Sequence, residues 1–318
     1  MKSPPILCLS ANPAIDRRLR IESLEPGRIH RAISAENFPG GKAAHVAMVA
    51  KALGARTVWL GFLGGRVGDQ FREDFGNLKI GMAEVHTRAR TRMNLELIET
   101  SGRITEILEP GEKLAPAELR AMNRIFVSGL RGKWHGAVAV VSGSLPPGFS
   151  PSFYRTLISA ARVGRVRVLV DTSGQALQVS LKARPFFIKP NLEEAEELLG
   201  HKLRNSNALV GALRAFVRMG AETAAISMGS NGLVWIEQRD GPVWFARPPQ
   251  LKAISTVGSG DATVAGFAVA MSRGLKAEEA VRLAAACGAA NCLARSPGRV
   301  ALNDVTKLSP QVVVRRIA

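Results

Sequence analysis

Phe186-Phe187-Ile188-Lys189-Pro190-Asn191-Leu192-Glu193-Glu194 passes within a few residues from an apolar run to an acidic helix start. A short unbroken apolar run of this kind reads as a strand covered on both faces. Pro190 breaks it, and Leu192 to Leu199 resumes with apolar residues at helical spacing. The same change of period recurs outward in both directions. Ile6 to Ala11, Thr57 to Leu60, Ala137 to Val141, Val168 to Val170 and Thr223 to Ile226 read as buried strands, whereas Lys42 to Leu53, Pro151 to Val163 and Leu209 to Met219 read as helices. Strands alternating with helices imply an α/β fold, a mostly parallel sheet with helices on both faces.

Two segments break the alternation. Arg17 to Ala35 and Arg88 to Ile107 read as pairs of short strands around Glu25-Pro26-Gly27 and Thr100-Ser101-Gly102, hairpins outside the main sheet. Neither holds enough apolar residues for a core of its own. They read as a lid, as a surface that pairs with another subunit, or as surface ornament.

Composition narrows the partners. The 318 residues are 46% hydrophobic, the profile of a soluble globular protein, and 43 Lys+Arg against 26 Asp+Glu leave a formal charge of +17. Such an excess raises nucleic acid, anionic lipid and phosphorylated small molecules. The 31 Arg and 12 Lys are spread along the whole chain, and the 12 Phe, 4 Trp and 1 Tyr do not interleave with them as on single-stranded nucleic-acid surfaces. The charge therefore reads as a solvated surface rather than a nucleic-acid footprint. Cys8, Cys287 and Cys292 lie in apolar runs without a CxxC pair, which argues against disulfides and zinc and for a reducing cytoplasm. The apolar run after Pro4-Pro5 ends at Leu9, too short for a signal-peptide core, and no run reaches the roughly 18 apolar residues of a membrane span.

In open α/β sheets, ligands bind beyond the carboxyl ends of the strands, so the glycine-rich turns matter most. Thr256-Val257-Gly258-Ser259-Gly260-Asp261 runs into a small-residue helix beginning near Asp261. Free amides and the positive macrodipole end there favour an anion, and during phosphoryl transfer they would stabilise the shifting charge. Asp261 reads either as the acceptor of a hydroxyl proton or as a plain helix cap. Asn191 and Glu194 fall within one helical turn and read either as holders of a hydrated Mg²⁺ or as an ordinary helix start. There is no GxxxxGK[ST], GxGxxG, GxSxG or HExxH, and His30, His45, His86, His135 and His201 lack metal spacing.

Seven stretches in fixed order, NPAID (Asn12 to Asp16), PGGKAAHVA (from Pro39), TRMN (Thr91 to Asn94), SGSLPPG (from Ser142), VDTSGQAL (Val170 to Leu177), IKPNLEE (from Ile188) and TVGSGDAT (from Thr256), resemble the PfkB carbohydrate kinases of the ribokinase superfamily. Within it they resemble the branch of 1-phosphofructokinases, tagatose-6-phosphate kinases and minor 6-phosphofructokinases. The resemblance implies a ribokinase-like three-layer fold with a small β-sheet lid, and a single kinase domain over residues 1–318. It implies Asp261 as catalytic base, with Gly258, Ser259 and Gly260 as the anion hole. Asp16, Gly40, Gly41 and Ser144 match sugar-contacting positions. Lys189, Asn191, Glu194, Ser227 and Gly229 match the ATP and Mg²⁺ side, which Asn291 joins, with Asn191 and Glu194 toward the metal. Arg28 and Arg92 align with positions for a phosphate already on the sugar, and Arg31 and Arg90 are neighbours. The branch also implies a homodimer through the lid.

Two positions depart from the family pattern. His45 stands where an asparagine usually binds sugar hydroxyls, and His30 stands where a second basic lid residue is usual. The expected reaction is ATP-dependent phosphorylation of a ketohexose monophosphate, fructose 1-phosphate first, with tagatose 6-phosphate and fructose 6-phosphate as alternatives. A sugar-sensing or nucleic-acid-binding protein with altered catalysis on the same fold is the distant alternative.

Overall fold

In a computed structural model that describes residues 3–318, the first strand alternates its burial between two cores. Residues 1 and 2 of the expected 1–318 unit lie outside the described residues. On β1 (Ile6–Ser10), Ile6 and Cys8 enter one hydrophobic cluster and Leu7 and Leu9 the other. This is the two-residue period of a strand covered on both faces, and it explains the unbroken apolar run.

The chain continues through β2 (Ala14–Ile21) and β3 (Ser34–Gly40) into helix α1 (Lys42–Ala52), then β4 (Thr57–Leu63), α2 (Gly65–Asn77), β5 (Gly81–His86), β6 (Arg92–Glu99), β7 (Ile104–Ile107) and α3 (Pro116–Arg131). Next come β8 (Val138–Ser142), α4 (Ser152–Val163), β9 (Arg167–Asp171), α5 (Gly174–Leu181), β10 (Phe187–Ile188), α6 (Leu192–Leu199), α7 (Ser206–Met219) and β11 (Thr223–Ser227). The last part holds β12 (Leu233–Ile236), β13 (Val243–Arg247), α8 (Ser259–Arg273), α9 (Ala277–Cys292), α10 (Leu302–Leu308) and β14 (Val313–Arg316).

The large sheet has ten strands in the order β14-β13-β12-β11-β10-β9-β8-β1-β4-β5. From β11 to β5 all neighbours are parallel, and β12 to β14 form an antiparallel margin. One core packs α1, α2, α8, α9 and α10 against the sheet, and the other packs α3 to α7. The result is the three-layer arrangement expected of a ribokinase-like fold. Helices α8 and α9 approach closely, since a Cβ on Gly266 would stand 2.6 Å from Ala284 Cα.

Strand order reverses between β1 and β8, so the chain leaves a crevice over their carboxyl ends. A second, four-stranded sheet of order β3-β2-β6-β7 grows out of that crevice. Its β2–β3 and β6–β7 pairs are antiparallel and fall on the two segments that interrupt the alternation, while β2 and β6 join them in parallel. The first pair runs further than its turn chemistry suggests, from Ala14 to Gly40, because residues 14–16 continue the ladder opposite 38–40. Arg18 and Glu96 clasp across β2 and β6 by two hydrogen bonds, Nε to Oε2 at 2.7 Å and one guanidinium nitrogen to Oε1 at 3.0 Å, both side chains buried. Among the described residues no helix is long and apolar enough to cross a membrane.

Candidate active site

Gly258 caps α8 with φ +80°, a left-handed conformation, and a Cβ there would meet Pro297 Cβ at 2.9 Å. The helix starts at Ser259, two residues before Asp261, because the glycine turn already supplies the cap. Asp261 is thus inside the first turn rather than at the cap. Ser259 donates its amide to Thr256 O at 3.2 Å. The amides of Gly258, Gly260 and Asp261 have no acceptor among the described residues and face the positive end of the dipole. Of the three residues expected at the anion hole, Gly258 and Gly260 have free amides, and Asp261 adds a third.

The carboxylate of Asp261 is buried and meets an unexpected partner. His45 Nδ1 lies 2.7 Å from Asp261 Oδ2, and His45 Nε2 lies 3.2 Å from Asp16 Oδ2. The second approach is an ion contact without hydrogen-bond alignment. Asp16 also accepts from Asn94 Nδ2 at 2.8 Å. Burial opposes the charge on the His45 ring, but the two carboxylates set against its nitrogens, Asp16 and the hydrogen-bonded Asp261, overcome it and hold its pKa up to about 10. Burial likewise opposes ionisation of Asp16, and His45, Asn94 and Arg92 outweigh it, keeping that carboxyl below its usual range.

Gly40 and Gly41 make room for this arrangement. A side chain at Gly40 would fall onto the Asp16 carboxylate. Gly41 caps α1 with φ +86° beside the Asn12 carbonyl. Asn12 donates to Ser144 Oγ at 3.3 Å and to Pro110 O at 3.0 Å, tying the SGSLPPG turn to the Asp16 side. Because Gly40→Ala must displace Asp16, we expect the variant to raise the sugar KM by about tenfold or more, roughly one lost hydrogen bond to a charged group, with the ATP KM unchanged. Steady-state kinetics in each substrate checks this.

On the opposite side of Asp261, a cavity of about 630 Å³ is lined by Lys42, Lys189, Asn191, Glu194, Ser227 and Gly229, and reaches Ser259 and Gly260. Lys189 is 4% exposed, donates to Ser227 Oγ at 3.4 Å and lies 3.6 Å from Asp171 Oδ1. A Cβ on Gly260 would stand 3.5 Å from its Nζ, which places the ammonium against the α8 start. Lys42 approaches Asp171 Oδ2 at 3.4 Å. Burial opposes ionisation of Asp171, and the two lysines keep it charged, while Asp171 raises Lys42 above its ordinary value. Lys42 and Asp171 have no role in the sequence reading, although both lie in its motifs. The available signal was a lysine at the start of α1, where a cation opposes the dipole and needs a compensating anion.

Asn191 and Glu194 form a reciprocal capping box: Asn191 Oδ1 accepts from the Glu194 amide at 2.9 Å, and Glu194 Oε2 accepts from the Asn191 amide at 2.8 Å. They start the helix and also line the cavity, so the two readings of this pair coexist. No group of three or more His, Cys, Asp or Glu side chains able to hold a metal occurs among the described residues. The second carboxylate oxygen of Glu194 makes no hydrogen bond, a donor set that suits Mg²⁺ retaining its water and taking phosphate oxygens.

Two expected site residues stand differently. Asn291 is 1% exposed and spends its amide on backbone, donating to Val257 O at 2.7 Å and accepting from the Gly298 amide at 2.9 Å. It fixes the turn ahead of α8 and does not line the cavity. Arg28 lies at the exposed tip between β2 and β3, its side chain 76% exposed and 3.9 Å from Glu25, apart from the other site residues. Nearby, His30 Nε2 hydrogen-bonds Glu25 backbone. Arg92 does reach the Asp16 side: it donates to Glu109 O at 2.6 Å and keeps a buried Nε without a partner. Arg90 is exposed and paired with Glu112 at 2.8 Å. A narrow cleft of about 20 Å³ between Asn12, Arg90, Arg92, Glu112 and Pro146 marks this side.

This geometry agrees with what the chain is similar to. Residues 7–302 match the pfkB family carbohydrate kinases. A 1-phosphofructokinase of Xanthomonas campestris pv. campestris is 35% identical over 313 residues, 96% of this chain and 94% of the relative. The 1-phosphofructokinase of Bacillus subtilis is 30% identical over 316 residues, 98% of this chain and 100% of the relative. Among solved structures, phosphofructokinase-2 from Escherichia coli in complex with fructose-6-phosphate superposes with a TM-score of 0.88 at 27% identity, covering 98% of this chain and 99% of that one. The motifs, the three-layer fold and the match over most of the length agree, and the chain belongs to the pfkB family of carbohydrate kinases, which makes it a sugar-phosphate kinase.

Proposed function

We propose that the protein phosphorylates the O6 hydroxyl of fructose 1-phosphate with ATP, giving fructose 1,6-bisphosphate and ADP. The observation that carries this is the position of Asp261 at the free amides of α8, between a lysine-lined cavity and the His45–Asp16 pair. Two further supports are Arg92 on the cleft side, a cation for the substrate's own phosphate, and the 1-phosphofructokinases aligned above.

Asp16, with Asn94 behind it, holds the sugar hydroxyls, and Asp261 accepts the O6 proton as O6 bonds to the γ-phosphorus and the β,γ-bridging oxygen departs. The amides of Gly258, Gly260 and Asp261 take the charge that gathers on the transferring group, with Lys189 beside them. Glu194, with Asn191 behind it, would hold Mg²⁺, which neutralises the nucleotide phosphates when bound. Closure of the small sheet as a lid keeps water out. In the same reading one kinase domain fills the chain, two copies pair through the small sheet, and the protein works in the cytoplasm.

A coupled ADP-release assay across fructose 1-phosphate, fructose 6-phosphate, tagatose 6-phosphate and the unphosphorylated sugars tests the assignment. Fructose 1-phosphate is expected to give the highest kcat/KM. Turnover of unphosphorylated sugars alone overturns it.

A further inference from the structure

We propose that His45 is a positioning residue that acts as a cation: as an imidazolium it joins the sugar-side carboxylate Asp16 to the proton-accepting carboxylate Asp261 and sets the orientation of both. The proposal rests on the reading of Asp261 as the base. His45 is 5% exposed and its two ring nitrogens face one carboxylate each, at 2.7 Å and 3.2 Å. A carboxylate oxygen only accepts, so the Nδ1–Asp261 hydrogen bond needs a proton on Nδ1, and a proton on Nε2 sets positive charge against the Asp16 carboxylate. The asparagine usual in the family is neutral, so two buried carboxylates would share the site uncompensated. Here the imidazolium leaves a net charge of −1 across the three groups, a smaller barrier to an anionic sugar phosphate.

The clamp also has a mechanical side. Nδ1 engages Oδ2 of Asp261, and Oδ1 makes no hydrogen bond, which leaves it as the oxygen for the sugar hydroxyl. Because the same ring touches Asp16, a sugar seated on Asp16 and the base that serves it share one rigid support. The base of the His45 side chain is held by close packing, since a Cβ on Gly298 would stand 3.0 Å from His45 Cα. The charged groups around it are Asp16 on β2, Asp261 on α8, Arg92 on β6 acting through Asp16, Lys42 on its own helix acting through Asp261, and Glu106 on β7 at longer range. The opposed carboxylates dominate, and the ring's pKa of about 10 agrees with the geometry.

Two measurements test this. In the substrate-free full-length protein, ¹⁵N NMR of the histidine side chains at pH 8 is expected to show both His45 ring nitrogens protonated, while His30, His86, His135 and His201 serve to assign the resonance by substitution. In His45→Asn, the KM for fructose 1-phosphate is expected to rise by about tenfold and kcat to change less. The acid limb of kcat/KM is expected to move upward by about one pH unit, because Asp16 loses the cation that holds its carboxyl low. A neutral His45 ring at pH 8 overturns the proposal, and so does a His45→Asn enzyme whose KM and acid limb match the parent's. The NMR reading needs no substrate, so it stands or falls separately from the assignment of fructose 1-phosphate.

Discussion

Asp261→Asn is expected to lower kcat with fructose 1-phosphate by about 10²–10⁴-fold, the span that a positioned proton acceptor contributes. The substitution keeps the shape of the side chain and an oxygen able to accept from His45 Nδ1, so packing at the start of α8 survives. What it removes is the capacity to take the O6 proton. The free amides of Gly258, Gly260 and the residue at 261 remain, and so does Lys189, which accounts for the residual rate. Both KM values are expected to stay within a few-fold of the parent's, since the lost interaction belongs to the transition state. Stopped-time assays at saturating substrates, with thermal unfolding to confirm the fold, read this directly. A kcat near that of the parent would remove Asp261 from the role.

Lys189→Met carries the second large effect. Lys189 is buried, touches Ser227 and Asp171, and stands against Gly260. Methionine retains the length and the apolar stem but removes the charge. Loss of one donor aimed at the transferring group is expected to cost about 10²–10³ in kcat. The KM for ATP is expected to rise and the KM for the sugar to hold, because Lys189 lines the 630 Å³ cavity and not the narrow cleft beside Arg92. The fold is expected to lose about 2 kcal/mol, less than the about 3–5 kcal/mol for stripping a buried charge of its only partner, because Lys42 still faces Asp171. ATP and sugar titrations on the same preparation decide it. A variant impaired in sugar KM alone would place Lys189 on the wrong side of Asp261.

The parallel part of the large sheet was readable because a strand covered on both faces needs an unbroken apolar run, and β1, β8, β9 and β11 have one. The antiparallel margin was less readable. Val243–Arg247 is partly exposed, and Val313–Arg316 shows no buried residue at all, so neither is covered on both faces as the parallel strands are. Helix α8 starts two residues ahead of Asp261 because Gly258, a left-handed cap, does the work that a side-chain cap would otherwise advertise. The resemblance puts Asn291 on the nucleotide side, while its amide is consumed by Val257 and Gly298, a use that depends on where two loops return.

The inventory of chemistry lies in the chain's local order. Glycine turns must follow strands where backbone has to approach a ligand, an acid after such a turn falls in the first turn of its helix, and those requirements act over a handful of residues. Which charges meet is another matter. Asp261 and His45 are separated by 216 positions, and Asp171 and Lys42 by 129. Only the packing of α8 against α1 and the reversal of strand order at β1 and β8 bring them within bonding distance. Electrostatic pairing is set by the folded distance between two charges and not by their spacing in the sequence, so it leaves no periodic trace along the chain.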